Sequence, residues 1–330
     1  MKVLDVVIIG AGPAGLAVAI AASEAGLDHE IVEKGVLVNS IYHFPRNMVF
    51  FTTAELLEIG GLPFVTPYEK PTQAEGLKYY RRVAERYDLR VAMDETVTAI
   101  RPEGEAASPL FTVDSVWKDE PHSRSARHVV VATGYYDHPN LLGVPGEDLP
   151  HVCHYYREPH AYYRRKVVVV GGKNSAAIVA LELYRSGAAV TLVHRGAQLG
   201  ASVKYWIRPD IDNRIKEGAI AARFLARVVE IRPAAVLVDG PKGPEEIDAD
   251  AVFLLTGYHP DCALLAGAGV RVDAATLVPE HDPRTLETNV PGLYLAGAVV
   301  SGRETGRIFI ENGRFHGQTI VESIRSRRQA

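Results

Sequence analysis

The sequence is poor in cysteine and in long apolar runs, and each shortage excludes a class of protein. Its 330 residues contain only two cysteines, Cys153 and Cys262. They form no C-x-x-C pair, which excludes a disulfide-stapled secreted domain. No apolar stretch reaches the roughly 20 residues that cross a bilayer. The first residues lack the pattern of a secretion signal, so we expect a cytoplasmic protein.

The sequence also has no large excess of charge of either sign. It contains 36 lysines and arginines and 40 aspartates and glutamates, which gives a net charge of −4. This balance is not typical of proteins that bind nucleic acid or a membrane surface, and we expect neither partner. The histidines have no metal-ligand spacing, so we expect no metal site. The length suits two domains of ordinary size.

A glycine-rich segment, Gly10-Ala11-Gly12-Pro13-Ala14-Gly15, follows directly after a continuous β-branched run. We predict a strand over 3–9, a helix over 12–25 and a second strand over 28–32. A strand, a glycine loop and a helix N-terminus together are typical of dinucleotide binding, because the backbone can approach a pyrophosphate. Glu33, 23 residues after Gly10, is placed to accept hydrogen bonds from the adenosine ribose.

A buried strand that ends in a small residue and a glycine, Val129 to Gly134, supports the same site. We also predict a helix over 76–87 and short strands over 90–92, 96–101, 110–116 and 127–132. A second glycine loop follows at 171–176, and two such loops in one chain are typical of a protein that holds a flavin dinucleotide and a nicotinamide dinucleotide. We therefore predict that the first loop binds FAD. Its predicted residues are Gly10, Gly12, Pro13, Ala14, Gly15, Glu33, Lys34, Ser40, Val97, Thr133, Gly134, Gly297, Ala298, Arg307 and Ile308.

The pattern restarts near residue 166 with a strand over 166–170, a glycine loop, a helix over 175–186 and a strand over 189–193. In this second loop Lys173 stands where a second motif glycine is expected. His194-Arg195 ends the last strand, where an NAD-specific protein carries an acid, so we predict NADPH rather than NADH. The alternative is that Arg195 is solvated surface. The predicted NADPH residues are Gly171, Gly172, Lys173, Asn174, Ser175, Ala176, His194, Arg195, Lys204, Thr256 and Gly257.

The domain order follows from these repeats. We predict an α/β protein with two Rossmann-like domains, in which the nicotinamide domain is inserted into a discontinuous FAD domain. The FAD domain covers 1–160 and 285–330, and the NADPH domain covers 161–284, with a returning strand over 292–297. Four aromatic residues close together in the sequence have two equally supported interpretations, as part of the core or as the lining of a substrate pocket. They are Tyr42, Phe44, Phe50 and Phe51.

The two-loop arrangement resembles the low-molecular-weight thioredoxin reductases, which transfer hydride from NADPH to FAD. Their redox-active C-x-x-C follows a G-x-P-G-E segment. Here 143–147 supplies that segment, but Cys153 follows alone. Thioredoxin reduction by dithiol exchange is therefore not expected.

A closer resemblance is to the YpdA-like bacillithiol disulfide reductases, and it covers essentially the whole chain. The residues that carry it are Asn39-Ser40-Ile41-Tyr42, Phe50-Phe51-Thr52-Thr53, Leu57-Glu58-Ile59-Gly60, His154-Tyr155-Tyr156, Gly171-Gly172-Lys173-Asn174-Ser175-Ala176 and Ile310-Glu311-Asn312-Gly313-Arg314-Phe315-His316-Gly317. The resemblance implies a homodimeric FAD enzyme that uses NADPH to reduce a small thiol disulfide.

The chain departs from this family at two positions. Ala14 occupies the place where the family commonly carries a loop cysteine, and an alanine cannot form a mixed disulfide. Either reduced flavin attacks the disulfide directly, or Cys153 stands in, or the acceptor is not a disulfide. Ala298 replaces an aspartate that usually holds the ribityl chain. We expect backbone groups and other side chains to hold FAD there. We also expect a helix that starts near Arg307-Ile308 to offer backbone N–H groups to the C2 carbonyl of the flavin ring.

Four functions remain open on these residues. The first is reduction of a low-molecular-weight disulfide by NADPH through FAD. The second is reduction of a small electron-carrier protein, as in ferredoxin or flavodoxin reductases, which also lack the C-x-x-C. The third is a flavin monooxygenase, and the fourth is a flavin redox sensor that turns over no substrate.

Overall fold

Two large β-sheets that contain parallel strands, each in its own unit of the chain, organise the fold. The structure, a computed structural model, describes residues 2–105 and 107–329. The first unit comprises Met1–His43, Asn47–His138 and Tyr258–Ala330, and the second comprises Phe44–Arg46 and Pro139–Gly257. The chain thus leaves the first unit and returns to it.

The first unit holds the N-terminal and C-terminal elements. In chain order they are β1 (Val3–Ile9), α1 (Pro13–Glu24), β2 (His29–Val32), α2 (Asn39–His43), α3 (Gln73–Arg86), β3 (Val91–Ala92), β4 (Glu95–Pro102), β5 (Phe111–Trp117) and β6 (Glu120–Val131). The second unit has the next ten elements. They are β7 (Val152–Cys153), β8 (Lys166–Val170), α4 (Asn174–Arg185), β9 (Ala189–His194), α5 (Arg208–Lys216), β10 (Ala221–Phe224), β11 (Arg227–Arg232), β12 (Ala235–Gly240), β13 (Gly243–Asp248), followed by β14 (Ala251–Leu254).

The chain then completes the first unit with α6 (Ala263–Gly267), β15 (Leu293–Leu295), α7 (Ile310–Gly313) and α8 (His316–Gln329). Single 3₁₀ turns cover Ala54–Leu57, His160–Tyr162 and Gly297–Ser301. None of the helices in the described part of the chain is long and apolar enough to cross a membrane.

The sheet of the first unit joins a parallel and an antiparallel half through β6. Strands β3, β2, β1, β6 and β15 run parallel, and β6, β5 and β4 form an antiparallel meander. Ile9 pairs with both Val32 and Val131, and Leu295 pairs with Val131. Four parallel strands therefore end side by side at one edge, where ligands of such sheets bind.

Burial explains why β1 and α1 form where the sequence predicts them. Val6, Val7 and Ile8 have no exposed surface, as expected for a parallel strand covered on both faces. The residues of α1 from Gly15 to Ala22 are all buried, so its alanines allow close packing rather than an amphipathic face. The helix α3 starts earlier than the predicted 76 because Thr72 and Glu75 form a capping box.

The second unit contains a five-stranded parallel sheet in the order β10, β9, β8, β14, β7. Strands β11, β12 and β13, which lie between β10 and β14 in the sequence, form a separate antiparallel sheet. The pairs Val170–Val193 and Leu254–Val170 bring the ends of β8, β9 and β14 together. The α/β class with parallel sheets is therefore confirmed.

The unit boundaries differ from the predicted ones. The units divide after His138 and after Gly257, whereas the sequence placed the divisions after 160 and after 284. The two-residue strand β7 pairs with β14 and so draws the preceding segment into the second unit. Leu265 and Val270 pack in the core of the first unit, which holds the segment after 257 there.

Two further strands and one helix differ in extent. β6 begins at Glu120 rather than 127, because its first half is a polar antiparallel strand paired with β5. β15 covers three residues instead of 292–297, since Gly297 already begins a 3₁₀ turn. The helix expected near 307–308 begins at Ile310.

Candidate functional site

The glycine loop after β1 leaves open space at the N-terminus of α1. Gly10 has a φ of +106°, and a Cβ there would lie 2.6 Å from the Ala132 carbonyl oxygen, so only glycine fits. Gly12 precedes the helix, and a Cβ there would meet nothing within 4 Å. A Cβ on Gly15 would overlap the Gly10 carbonyl oxygen. The loop is therefore tight against the sheet and open toward a ligand, which fits a pyrophosphate at the helix end.

Glu33 fixes the neighbouring corner of this site. Its side chain is buried, with one oxygen accepting from the Ala11 N–H at 2.7 Å and the other from the Gly35 N–H at 2.9 Å. Burial raises the pKa of the Glu33 carboxyl, and the two backbone donors offset part of that rise. Each oxygen keeps a second lone pair, so the carboxylate can also accept from ribose hydroxyls.

The turn after β15 closes the same edge of the sheet. Gly297 has a φ of +73°, and a Cβ there would lie 2.7 Å from the Cβ of Ala14. Its N–H donates to Nδ1 of His316 at 3.0 Å. The contact with Ala14 leaves little room for a longer side chain between the glycine loop and this turn.

The other residues predicted at the FAD site are spread around these three features. The Val38 N–H donates to the Ala11 carbonyl at 3.1 Å, which holds the start of α2 and Ser40 near the glycine loop. Thr133 and Gly134 directly follow β6, while Val97 lies two residues beyond Glu95, whose N–H donates to the Glu33 carbonyl.

Two charged residues that were predicted to bind FAD lie at the surface. Lys34 is exposed and pairs with Asp137 at 2.9 Å. Arg307 is also exposed and pairs with Glu304 at 3.1 Å, and with Ile308 it precedes α7 rather than starting a helix. The structure therefore does not place the predicted helix start at these two positions.

The second glycine loop repeats the backbone of the first. Gly171 donates to the Val193 carbonyl as Gly10 donates to Val32, and a Cβ on Gly171 would lie 2.6 Å from the Leu255 oxygen. Gly172 lies against the side chain that ends β9. A Cβ there would overlap the His194 ring, so this glycine makes room for the imidazole. Burial and the nearby Arg195 lower the pKa of His194.

Asn174 joins the start of α4 to the segment that holds Lys204. Its Oδ1 accepts from the Lys204 N–H at 2.9 Å, and its Nδ2 donates to the Ser202 carbonyl at 3.1 Å. Lys173 occupies the N-cap position of α4 without a side-chain capping bond and is exposed, as is Arg195 after β9. Lys173, Lys204 and Arg195 therefore lie on two loops that meet at the N-terminus of α4.

Thr256 and Gly257 end the sheet on the other side of the loop. Thr256 Oγ1 donates to the Asn140 carbonyl at 2.6 Å, and Asn140 Nδ2 donates back to the Thr256 carbonyl at 3.3 Å. Asn140 was missed from the sequence, because only the fold brings it to Thr256. His316 was also missed as a site residue, although it lies in one of the segments that carried the family resemblance.

The two cysteines lie in different units of the chain. Cys153 lies in β7 of the second unit, partly buried against the core around Phe253, and its thiol donates to the Tyr155 carbonyl at 2.9 Å. Cys262 lies in the first unit, where burial raises the pKa of its thiol. The 143–147 segment is a turn in which Glu147 accepts from the Leu142 and Gly143 N–H groups at 2.8 and 2.7 Å.

The four aromatic residues for which the sequence allowed two interpretations lie in different environments in the structure. Phe50 is core, packed so closely that a Cβ on Gly76 would lie 2.9 Å from its ring. Tyr42 and Phe51 are exposed at the surface of the first unit, whereas Phe44 belongs to the second. Within residues 2–105 and 107–329, no group of three or more His, Cys, Asp or Glu side chains is arranged to hold a metal ion.

Comparison with known proteins places the chain in a family whose members bind two dinucleotides. Residues 7–297 match the family described as pyridine nucleotide-disulphide oxidoreductase. The chain belongs to this family, whose members use FAD and NAD(P)H. It is 42% identical over 322 residues to bacilliredoxin reductase Bdr of Bacillus subtilis, covering 97% of each chain.

Solved structures define the group within the family more closely. The chain superimposes on bacillithiol disulfide reductase Bdr (YpdA) from Bacillus cereus with a TM-score of 0.96 and 42% identity, covering 99% of this chain and 100% of the other. The corresponding protein from Staphylococcus aureus gives a TM-score of 0.93 and 37% identity, with 100% of both chains covered. The chain is thus a flavin-dependent oxidoreductase of the Bdr type, and the predicted YpdA-like resemblance is confirmed.

Proposed function

We propose that the chain uses NADPH and FAD to reduce a low-molecular-weight disulfide of the bacillithiol type. The near-complete match to two proteins described as bacillithiol disulfide reductases is the observation that carries this proposal. FAD, when bound, supplies the redox chemistry: it can accept two electrons from NADPH as a hydride and pass them on to a disulfide. The overall reaction is NADPH, a proton and one disulfide giving NADP⁺ and two thiols.

The first unit is the proposed FAD domain and the second the proposed NADPH domain. In the first, the open space at Gly12 would take the pyrophosphate, and the Glu33 carboxylate would accept from the adenosine ribose. Gly297 would bring the backbone close to the cofactor, as its φ of +73° and its contact with Ala14 support. No acid is available at Ala298 to hold the ribityl chain, so backbone groups would take that part.

The second unit favours NADPH over NADH. The residue after β9 is Arg195, whose guanidinium can bind a 2′-phosphate with two hydrogen bonds. Lys173 and Lys204 add positive charge on the neighbouring loops. An acid at the end of β9 would instead repel the phosphate, and the chain has none there.

The disulfide would be reduced without a protein thiol. Ala14 presents only a methyl group, and that group packs against Gly297. Cys153 lies in a short strand with its thiol bonded to its own loop, and it has no second cysteine in the sequence nearby to resolve a mixed disulfide. The protein would therefore bind and orient the disulfide and exclude water around it.

The proposed environment follows from the same reaction. A disulfide reductase that consumes NADPH works in a reducing compartment, so we propose a cytoplasmic location. The oligomeric state is a separate proposal: we propose a homodimer, as the family resemblance implies. The Bacillus subtilis relative is described as a bacilliredoxin reductase, so we propose a bacilliredoxin as a second acceptor.

An anaerobic half-reaction experiment tests the acceptor. The FAD-loaded protein is reduced with one equivalent of NADPH, bacillithiol disulfide is added, and the oxidised flavin absorbance is followed. Recovery of that absorbance with release of two thiols per disulfide supports the proposal. A flavin that stays reduced with the disulfide, but is reoxidised by ferredoxin or flavodoxin, overturns it in favour of an electron-carrier reductase.

A further inference from the structure

Two adjacent aromatic side chains in the second unit are exposed beside the glycine loop. Tyr205 is 81% exposed and Trp206 is 41% exposed. Their ring centroids are 4.9 Å apart with the planes almost perpendicular at 87°. Large aromatic side chains usually bury their surface, so an exposed pair beside a ligand-binding loop indicates a binding surface.

The pair is held on a fixed stretch of backbone. Val203 and Ile207, on either side of it, are 6% and 8% exposed and pack in the same core as Ala176. The two hydrogen bonds of Asn174 tie the segment to the start of α4. The Gly200 N–H donates to the Gly172 carbonyl at 2.8 Å, which ties it to the glycine loop as well.

The charges around the pair suit a nucleotide. The ammonium of Lys204 lies 5.8 Å from the centre of the Trp206 ring. Lys173 lies at the N-cap position of α4, and Arg195 follows β9. Asn174, the first residue of α4, accepts a hydrogen bond from the Lys204 N–H. Aromatic faces bind the flat surface of a base, and lysine and arginine bind phosphates, so the two kinds of residue together match a purine nucleotide.

We propose that Tyr205 and Trp206 form the surface that binds the adenine ring of NADPH, with Lys204 beside the adenosine phosphates. This inference rests on the proposed function and extends it, because neither aromatic residue belongs to the glycine loop or to the end of β9. It gives the adenosine half a binding surface of its own, separate from the residues that hold the pyrophosphate.

Binding of 2′,5′-ADP tests the inference without turnover. This compound carries the adenine and the 2′-phosphate of NADPH but no nicotinamide. Titration calorimetry on the FAD-loaded protein should give a Kd about ten-fold or more higher for Trp206→Ala and Tyr205→Ala than for the wild type. Trp206→Phe, which keeps a flat ring, should recover most of the affinity.

A second readout separates the adenine from the rest of the coenzyme. Flavin reduction by NADPH should show a raised KM in Trp206→Ala, whereas reduction by reduced nicotinamide mononucleotide, which lacks the adenosine half, should be unchanged. Tyr163→Ala is the matched control, because this 58% exposed tyrosine precedes β8 and so lies at the opposite end of the same sheet. Tyr163→Ala should leave both coenzymes unaffected.

The outcomes distinguish the two proposals. If the wild type binds 2′,5′-ADP and both alanine variants bind it equally well, the aromatic surface is not the adenine site, while the NADPH proposal stands. If the wild type binds no 2′,5′-ADP but is reduced by NADH, both proposals are overturned. If Trp206→Ala does not fold, the 81% exposed Tyr205 still provides the test through Tyr205→Ala.

Discussion

The backbone N–H of Gly297 donates a hydrogen bond to Nδ1 of His316 at 3.0 Å. Nδ1 can accept only when it carries no proton, so the ring is neutral with its proton on Nε2. Burial lowers the pKa of His316, and the nearby His281 lowers it further. The turn that packs against Ala14 is therefore held by a histidine that must stay uncharged.

We expect the first unit to lose stability on acidification through His316. Because its folded pKa lies below the ordinary value of about 6.5, its contribution is complete above that value. The contribution is lost as the pH falls from there through the lowered folded pKa. Thermal unfolding between about pH 8 and pH 5 should show a loss of about 1 kcal/mol from this hydrogen bond.

His316→Gln is the control for that prediction. Its amide oxygen can accept from Gly297 but does not titrate, so the acid-dependent loss should be smaller than in the wild type. His281→Gln removes the neighbouring charge and should leave most of the loss in place. An equal loss in the wild type and in His316→Gln would assign the pH dependence to other groups.

We expect Arg195 to set the coenzyme preference. Arg195→Glu replaces a phosphate-binding guanidinium with a repelling carboxylate, so kcat/KM for NADPH should fall by about 10- to 100-fold. The value for NADH should fall far less or rise. Stopped-flow reduction of the flavin by each coenzyme measures both.

The matched control is Arg232→Gln, since Arg232 lies in the antiparallel sheet and pairs with Glu230 and Glu246. It should leave both rates unchanged. A similar loss with NADPH and NADH in Arg195→Glu would show that Arg195 does not read the 2′-phosphate.

We expect Cys153 to be dispensable for disulfide reduction. Serine at this position can donate to the Tyr155 carbonyl as the thiol does, so Cys153→Ser should fold normally. Its rate of flavin reoxidation by bacillithiol disulfide should stay within about two-fold of the wild type, because no thiol intermediate is proposed. Cys262→Ser is the parallel control, and a selective loss in Cys153→Ser would restore the thiol mechanism.

We expect the pair of Arg124 and Glu95 to be the ion pair that matters for stability. Glu95 is buried, and two of its donors are Arg124 and Ser115; Arg124 also donates to Glu30 at 2.7 Å. Although burial alone raises the pKa of Glu95, these donors leave it below its ordinary value. Arg124→Met strands a buried carboxylate and should cost about 3–5 kcal/mol in denaturant unfolding.

The exposed pair of Arg82 and Glu85 gives the comparison. Arg82→Met should cost less than about 1 kcal/mol, because water screens an exposed pair. Similar costs for the two variants would mean that burial of Glu95 does not decide the energy.

The parts of the fold that the sequence predicted are those fixed by local pattern. The continuous apolar run of β1, the glycines after it and Glu33 lie within one βαβ unit, so each could be read from its neighbours. The second unit repeated that pattern and was found for the same reason. The first half of β6 was missed because its nearly continuous run of polar residues lacks the alternation that predicts a strand.

The parts that were missed depend on contacts between distant residues. Gly172 accommodates the ring of His194, and Gly297 bonds to His316, and neither pairing has a spacing that sequence rules describe. The unit boundaries were misplaced because β7 has only two residues and is defined by its partner β14. Asn140 was missed because Thr256 is reached only through the fold.

The position of β15 in the first sheet affects the order in which the chain folds during synthesis. β15 pairs with β6, yet residues 139–257, which form nearly all of the second unit, are translated between the two strands. While Leu293 to Leu295 are still in the ribosome, the end of β6 has an unpaired edge that can join other chains. The second unit is already complete at that stage, so it can fold as nascent chain before the first does. A truncation before residue 293 would leave that edge permanently exposed, and such a product is expected to aggregate.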